Sequence, residues 1–225
     1  MRPWNAPLET TVRLRLPVDL RLTLSALRRG RGDPSLREAD DGSWWRATRT
    51  PEGPATLWVR QAGGEVRAAA WGPGARWALE AAPDLVGARD PLEGFAPGPG
   101  LVRELHHRMP GLRIPRSRAV FEALLGTVIE QKVPGAEAHR SYRELVLAWG
   151  EPAPGPGEPP SPGAPPGPVG LRVPPDPARL AGTPYYRFHP LGIEMRRAAT
   201  VREAARHARR LEDLVARSRE EAYRR

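Results

Sequence analysis

Cysteine is absent from this 225-residue chain, which excludes disulfide bonds, thiolate metal sites and a cysteine nucleophile. The chain also lacks any apolar run near the roughly 20 residues that a membrane-spanning helix needs. Residues 1–5 lack the basic and then apolar pattern of a signal peptide. These absences predict a soluble, cytoplasmic protein without membrane contact. Any chemistry must rest on carboxylates, histidines, tyrosines or the backbone.

Positive charge is in excess, because the chain has 35 basic and 26 acidic residues and therefore a net charge of +9. A surplus of this size favours an anionic partner such as nucleic acid. Lys132 is the only lysine, and 28 prolines and 23 glycines accompany the arginines. Arginine, proline, glycine and alanine have G+C-rich codons, so genomic base usage is an alternative source of part of the excess. Composition alone leaves both explanations open.

The first part of the chain has the pattern of a small sheet packed on helices. Residues 8–18 alternate with period two and predict a strand, after which Asp19 caps a predicted helix over residues 20–29. Four β-rich runs separated by turn residues then predict an antiparallel meander, followed by a helix at 75–85. We therefore predict an α+β amino-terminal domain over residues 1–88. The predicted strands of the meander cover residues 36–39, 43–49, 55–61 and 65–71.

From residue 89 onwards the apolar period is helical, which predicts a partial all-α domain over residues 89–225. Residues 151–168 contain nine prolines, which favours an extended surface loop without a core of its own, or a linker. The capping-box pattern Thr200 to Glu203 predicts a helix that starts there and runs to about residue 215. Helices are expected at residues 101–109, 118–131, 136–149 and 176–181.

A second capping box, Ser218 to Glu221, announces a further helix of which only the start is present. One interpretation is that the natural domain continues beyond this chain, and the other is a frayed terminus that matches by chance. On the first interpretation, we expect the apolar faces of 118–131 and 200–215 to lack packing partners.

Three segments, in order, resemble the 3-methyladenine DNA glycosylase II family of the helix-hairpin-helix DNA glycosylase superfamily. They are PGLRIP at 110–115, an apolar helix running into VIEQKV at 128–133, and LGIEMRRA at 191–198. The most specific piece is the Gln-x-Val turn that follows the apolar helix. The resemblance covers nearly the whole chain and implies an α+β fold of the kind described above.

The resemblance implies base-excision repair of alkylated purines in double-stranded DNA by a monomer without a cofactor. Such enzymes flip the damaged base out of the duplex and fill the gap with a wedge side chain, since a stacked base is out of reach. By correspondence, Gln131, Lys132 and Val133 form the wedge turn. Lys132 stands where the family often has an apolar residue, and its stem can pack between bases while its ammonium meets phosphate. The alternative is a solvated turn lysine.

The family's glycine-rich hairpin and catalytic aspartate have no counterpart in this sequence. The hairpin offers backbone N–H groups to a phosphate, and the carboxylate stabilises positive charge on the sugar. The chain is therefore expected to be incomplete, truncated before both features, and inactive alone, with no catalytic residue of its own. The alternative is a non-enzymatic DNA-binding or scaffolding protein that keeps only the amino-terminal part of a glycosylase.

Other groups offer binding roles of lower specificity. Tyr185, Tyr186 and His189 can stack on a base or pack against a core. Arg28, Arg29 and Arg31 can hold phosphate or complement a helix dipole. The five histidines lack metal-ligand spacing, so no metal site is predicted. Solvation is the expected role of the carboxylates of Glu122 and Glu130.

Overall fold

The computed structural model describes residues 6–92, 94–156, 167–217 and 221. The elements are segregated as the α+β prediction requires, because the strands of the main sheet precede most of the helices. Short 3₁₀ turns lie at His189–Leu191 and Asp213–Ala216. The strands are β1 (Leu8–Arg13), β2 (Leu36–Glu38), β3 (Trp44–Thr50), β4 (Gly53–Ala62), β5 (Glu65–Trp71), β6 (Glu151–Pro152) and β7 (Arg172–Val173). The helices are α1 (Leu20–Ser25), α2 (Ala75–Leu85), α3 (Leu101–Arg108), α4 (Val120–Ile129), α5 (Gly135–Trp149), α6 (Pro177–Gly182), α7 (Tyr185–Phe188), α8 (Met195–Arg206) and α9 (Ala208–Glu212).

Five strands form an antiparallel sheet in the order β1-β5-β4-β3-β2. The predicted meander is confirmed, and β1 returns to pair with β5, with Leu8 opposite Ala70. The first strand ends at Arg13 rather than at residue 18. At the β2–β3 turn the carboxylate of Asp41 accepts hydrogen bonds from the backbone and the hydroxyl of Ser43, at 3.0 and 2.6 Å.

Helices α1 and α2 cover one face of this sheet, which we call the inner face. Asp19 caps α1 as predicted, because its side chain accepts a hydrogen bond from the N–H of Leu22 at 2.9 Å. Alternation along each strand sends every second side chain to the inner face. The core there includes Leu24, Leu36, Trp44, Leu57, Val59, Val66, Ala78, Ala82 and Leu85.

The opposite, outer face of the sheet carries a separate apolar cluster. The rings of Trp45 and Trp71 stack there with centroids 5.4 Å apart. Leu171 and Val173 pack against them, and β7 pairs with β6. Ala153 is partly buried against this cluster, so part of the predicted proline-rich loop packs on the sheet, which is compatible with a surface segment that has no core of its own. Residues 157–166 lie outside the described part of the chain.

A second large core forms among the helices. The apolar face of α4 packs against α8, while α5, α6 and α7 close the cluster around it. Phe188 meets Trp149 edge to face at 4.9 Å between centroids. The buried members include Phe121, Leu125, Val128, Ile129, Tyr142, Leu145, Trp149, Leu180, Phe188, Ile193 and Val201. The sheet and helical cores are separate clusters, and a domain division at residue 88 stays a prediction.

Two expectations about the last helices are wrong. Helix α8 begins at Met195, so Thr200 lies inside it and donates its hydroxyl hydrogen to the carbonyl of Arg196 at 3.0 Å instead of capping a new helix. The helix is also interrupted at His207, where α9 follows. The second predicted capping box, at 218–221, lies largely outside the described residues.

A patch of exposed apolar side chains lies on α3 and the segments beside it, whereas the faces expected to lack packing partners are largely buried. The apolar faces of α4 and α8 are buried against each other, whereas α3 has no buried residue. The exposed apolar side chains of this region are Phe95, Leu101, Val102, Leu105, Leu112 and Ile114. Among the described residues, no helix is long and apolar enough to cross a membrane.

Candidate nucleic-acid interface

The predicted wedge turn joins the end of α4 to the start of α5. Helix α4 ends at Ile129 and α5 begins at Gly135. Pro134, just before α5, cannot donate a backbone hydrogen bond and favours extended backbone at Val133 before it. The five residues between the two helices, Glu130 to Pro134, therefore form a short connection that contains the predicted wedge turn, Gln131 to Val133.

Lys132 stands at the outermost part of the wedge turn in a left-handed backbone conformation, with φ of 58°. That conformation is uncommon for a residue other than glycine and costs of order 1–2 kcal/mol, so the neighbouring structure must hold it. Gln131 and Lys132 are exposed and Val133 is half-buried. The turn that the sequence predicts between two helices is present here, and the contact of these residues with DNA remains a prediction.

Arg29 lies beside the wedge turn but is engaged inside the protein. Its guanidinium donates to the carboxylate of Glu130 at 2.5 Å and lies 5.4 Å from the centre of the Tyr142 ring. The side chain crosses α4 directly over Gly126, where a Cβ atom would collide with it. Glu130 is therefore paired rather than merely solvated, which corrects the sequence expectation for this residue.

The other two arginines of the predicted phosphate-binding group differ in their surroundings. Arg28 lies over the ring of Trp44 at 5.6 Å and 3.8 Å from the carboxylate of Glu38. Arg31 is exposed and has no acidic partner among the described residues. Of the three arginines, Arg31 is the one whose charge faces solvent without compensation.

The predicted stacking residues lie on α7 and the 3₁₀ turn after it. Phe188 fixes this segment in the helical core, so Tyr186 projects outwards with 70% of its surface exposed. Tyr185 is half-buried and meets His189 edge to face at 6.0 Å between centroids. Tyr186 and His189 are thus accessible, while Tyr185 serves packing in this arrangement.

A polar cluster that the sequence did not reveal joins the sheet to the helices. The carboxylate of Glu122 on α4 accepts from Arg46 at 2.9 Å and from the hydroxyl of Thr48 at 2.7 Å. Both ionic side chains are mostly buried, with 8% exposure for Arg46 and 18% for Glu122. The solvated role expected for Glu122 is therefore wrong.

Asp33 and Tyr142 extend this cluster. Asp33 accepts hydrogen bonds from the backbone N–H groups of Arg29 and Ser35, both at 2.8 Å, and the Ser35 hydroxyl lies 3.1 Å from that of Tyr142. Burial raises the pKa of Asp33, although these hydrogen bonds oppose the shift. Burial also raises the pKa of Tyr142. The phenol therefore remains neutral at physiological pH.

The cavity beside this cluster is too small for a nucleobase. It measures about 40 Å³ and is bordered by Leu27, Arg46 and Tyr142, which leaves room for ordered water. A groove of about 1160 Å³ borders the amino-terminal half of α4, where Phe121, Glu122 and Leu125 line it. There the carboxylate of Glu212 accepts from the N–H groups of Val120 and Phe121 at 2.8 Å each, and burial raises its pKa.

Asp84 forms a second charged hub that sequence reasoning missed. Its buried carboxylate accepts from Arg89 at 3.0 Å, from Arg116 at 2.9 Å and from Arg118. These contacts tie α2 to the segment that precedes α4. No group of three or more histidines and carboxylates able to hold a metal ion occurs in the described part of the chain.

The chain matches no protein-family model and no curated protein sequence. Its structure, however, is similar to that of a 3-methyladenine DNA glycosylase from Archaeoglobus fulgidus, with a TM-score of 0.74 over 96% of this chain and 72% of that one. A Clostridium acetobutylicum 8-oxoguanine glycosylase/lyase, solved with double-stranded DNA, gives a TM-score of 0.57 over 91% of this chain. Sequence identity is 18% and 14% respectively.

These likenesses establish the fold. The described residues share the fold of these two DNA glycosylases, as the resemblance in the sequence implies. This chain spans about two thirds of the length of the Clostridium acetobutylicum protein, because it covers 65% of that chain.

Proposed function

We propose that this chain is the DNA-engaging part of an alkylation-repair DNA glycosylase. The observation that carries the proposal is the structural similarity over 96% of the chain to a 3-methyladenine glycosylase. An exposed turn at the residues that correspond to the family's wedge adds support. The net charge of +9 supplies a phosphate-binding contribution that does not depend on sequence.

In this proposal, the wedge turn enters a duplex at the position of a flipped alkylated purine. The stem of Lys132 fills the gap in the base stack, and its ammonium remains near phosphate. Arg31 provides a further phosphate contact, and Arg28 a weaker one because Glu38 lies near it. Tyr186 and His189 offer exposed rings for a displaced base, with Tyr185 behind them.

Cleavage of the glycosidic bond needs groups that these 225 residues do not supply. The family's glycine-rich hairpin and aspartate have no counterpart in the sequence, so we propose that the chain binds damaged duplex DNA but releases no base on its own. A monomer divided at residue 88 and located in the cytoplasm belongs to the same proposal.

The test compares the affinity of the chain for two DNA duplexes of the same sequence. One duplex is intact, and the other carries a stable abasic-site analogue. The abasic duplex presents a gap without the cost of unstacking a base. We therefore expect tighter binding to the abasic duplex, with affinity for both falling as salt rises. Equal affinity for the two duplexes would contradict the wedge assignment.

A non-enzymatic DNA-binding or scaffolding protein is the second candidate, favoured by the missing hairpin motif. The nucleotide sequence after the codon for Arg225 discriminates the two candidates. A reading frame that continues into a glycine-rich hairpin and an aspartate supports the glycosylase, whereas a stop codon supports the scaffold.

A further inference from the structure

Arg197 is a buried arginine that contacts the backbone at the base of the wedge turn. It lies in the first turn of α8 and is only 5% exposed. Its Nη1 donates to the carbonyl of Ile129, the last residue of α4, at 2.8 Å, and its Nη2 donates to the carbonyl of Gly192 at 3.1 Å. One guanidinium thus joins the end of α4 to the loop before α8.

Burial makes this arrangement costly unless the guanidinium is well satisfied. The carboxylates of Glu137 and Glu194 lie 4.0 and 3.9 Å away, which compensates part of the charge. Its Nε has no hydrogen-bond partner within the described ranges. The two carbonyl contacts are therefore the directed interactions of this side chain. The carbonyl of Ile129 stands at the end of α4, where helix carbonyls lack an intrahelical partner, whereas that of Gly192 also accepts from the Ser141 hydroxyl at 3.3 Å.

The carbonyl of Ile129 lies three residues before Lys132. A cation at the carboxyl end of a helix satisfies the last carbonyls and interacts favourably with the helix dipole. Lys132 needs such support because its left-handed conformation persists only where neighbouring contacts impose it. Arg29 is hydrogen-bonded to Glu130, the residue that follows Ile129, so the start of the turn is held both by Arg29 and by Arg197 of α8.

We propose that Arg197 is the positioning residue of the wedge turn, holding it in the conformation that presents Lys132. The role in DNA binding rests on the proposed function, whereas the role in ordering the turn does not. Ordering the turn before DNA arrives reduces the entropy that binding must otherwise supply.

Proteolysis at one bond tests the ordering of the turn without DNA. Lysyl endopeptidase cuts after lysine, and Lys132 is the only lysine of the chain, so the native protein has one cleavage site and it lies in the wedge turn. We expect Arg197→Gln to speed this cleavage by about tenfold or more, as the loss of a charge-assisted hydrogen bond implies. Arg197→Lys, which keeps the charge but lacks the forked guanidinium that reaches both carbonyls, should restore part of the resistance.

Two controls separate local loosening from general destabilisation. Val201→Ala shortens a buried side chain of the same helix and lowers stability while it leaves both carbonyl hydrogen bonds of Arg197 in place. Arg210→Gln removes a charge at an exposed position of α9. At equal reduction of the melting temperature, Arg197→Gln should be cut faster than Val201→Ala. Equal cleavage of these two variants, or wild-type resistance in Arg197→Gln, would overturn the proposal.

A double-mutant cycle with the intact and abasic duplexes then tests the consequence for DNA. Arg197→Gln should lower the preference for the abasic duplex in the wild-type background but have no further effect in the Lys132→Ala background. Additive effects in the cycle would contradict a role through the turn. If the wild-type protein shows no abasic preference, the proposed function fails, and the protease result still decides whether Arg197 orders the turn.

Discussion

Lys132 combines a charge with an apolar stem, and two substitutions separate them. Lys132→Ala removes both, whereas Lys132→Leu keeps an apolar wedge. Both should flatten the salt dependence of duplex binding by about one phosphate contact. Only Lys132→Leu should retain the preference for abasic over intact duplex, and fluorescence anisotropy across a salt series measures both quantities. If neither substitution changes abasic binding, the turn is only a helix connection.

Asp33 makes stability depend on pH in a direction unusual for a carboxylate. Burial raises the pKa of Asp33 above its ordinary value of 3.8. The stability that protonated Asp33 contributes is therefore fully present below that pH and is lost as the pH rises through the raised pKa of the folded state. Asp33→Asn should therefore flatten this part of the pH dependence. Urea unfolding between about pH 4 and pH 7 measures it as the stability difference between wild type and variant.

Asp41 provides the matched control because its shift has the opposite sign. The side-chain and backbone hydrogen bonds from Ser43 lower the pKa of Asp41. The stability that ionised Asp41 contributes is present above the ordinary pKa of aspartate and is lost as the pH falls through the lowered pKa of the folded state. Asp41→Asn should thus leave the pH dependence that Asp33 causes intact. A similar flattening in both variants would mean that Asp33 is not the source.

At the scale of elements, local sequence signals such as capping residues predicted most helix and strand boundaries. They failed where packing against residues distant in the sequence determines where a helix begins. Asp19 announced α1 because an N-cap acts within three residues. The sequence did not predict the start of α8 at Met195, because Glu194 at the N-cap position makes no side-chain capping hydrogen bond. Thr200 supplied a false start signal inside the same helix, since tertiary packing of α8 outweighs a local capping pattern.

The helix α3 is the element least supported by packing. It has eight residues, none of them buried, and an isolated helix of that length is marginal in water. Its ion pair between Glu104 and Arg108 at 2.6 Å is exposed and adds little. We expect amide hydrogens of α3 to exchange rapidly while those of α4 stay protected, as hydrogen-exchange mass spectrometry can measure.

The apolar residues of α3 should also bind a hydrophobic dye. Val102→Ser combined with Leu105→Gln removes apolar surface that is already exposed, so dye fluorescence should fall while the melting temperature stays nearly unchanged. Ala199→Ser, at an exposed position of α8, serves as the control. Slow exchange in α3, or unchanged dye binding in the double variant, would contradict this account.

At the scale of the whole molecule, charged residues that contact each other across long sequence separations join the sheet to the helices. Arg46 and Glu122 are 76 residues apart in the chain, and no local pattern announces that two such side chains are buried together. The sequence therefore indicated the sheet, the helices and the wedge turn, but not the polar contacts between them. The same holds for Arg197, whose partner Ile129 is 68 residues away.

Breaking this junction should be costly. Glu122→Ala leaves Arg46 buried without its carboxylate, and we expect a loss of about 3–5 kcal/mol in the free energy of unfolding. The exposed pair of Arg143 and Glu144 offers a control, since Glu144→Ala should change stability little. Urea unfolding monitored by tryptophan fluorescence measures both. A loss for Glu122→Ala no larger than that for Glu144→Ala would show that the junction contributes little.

Excision of a base is the activity that this set of residues should not support. The mostly buried carboxylates are already engaged: Asp84 with three arginines, Glu122 with Arg46, and Glu212 with the first N–H groups of α4. A carboxylate that stabilises positive charge on the sugar must instead face the bound nucleotide.

We therefore expect the purified 225-residue chain to release no alkylated purine from methylated duplex DNA, even at salt concentrations where it binds. Chromatography of the released bases measures this, and a glycosylase of known activity confirms that the substrate is competent. Multiple turnover by this chain would assign the chemistry to one of its own carboxylates. Alanine substitution of Glu137, which lies at the start of α5 next to the wedge turn, would then be the first step in locating it.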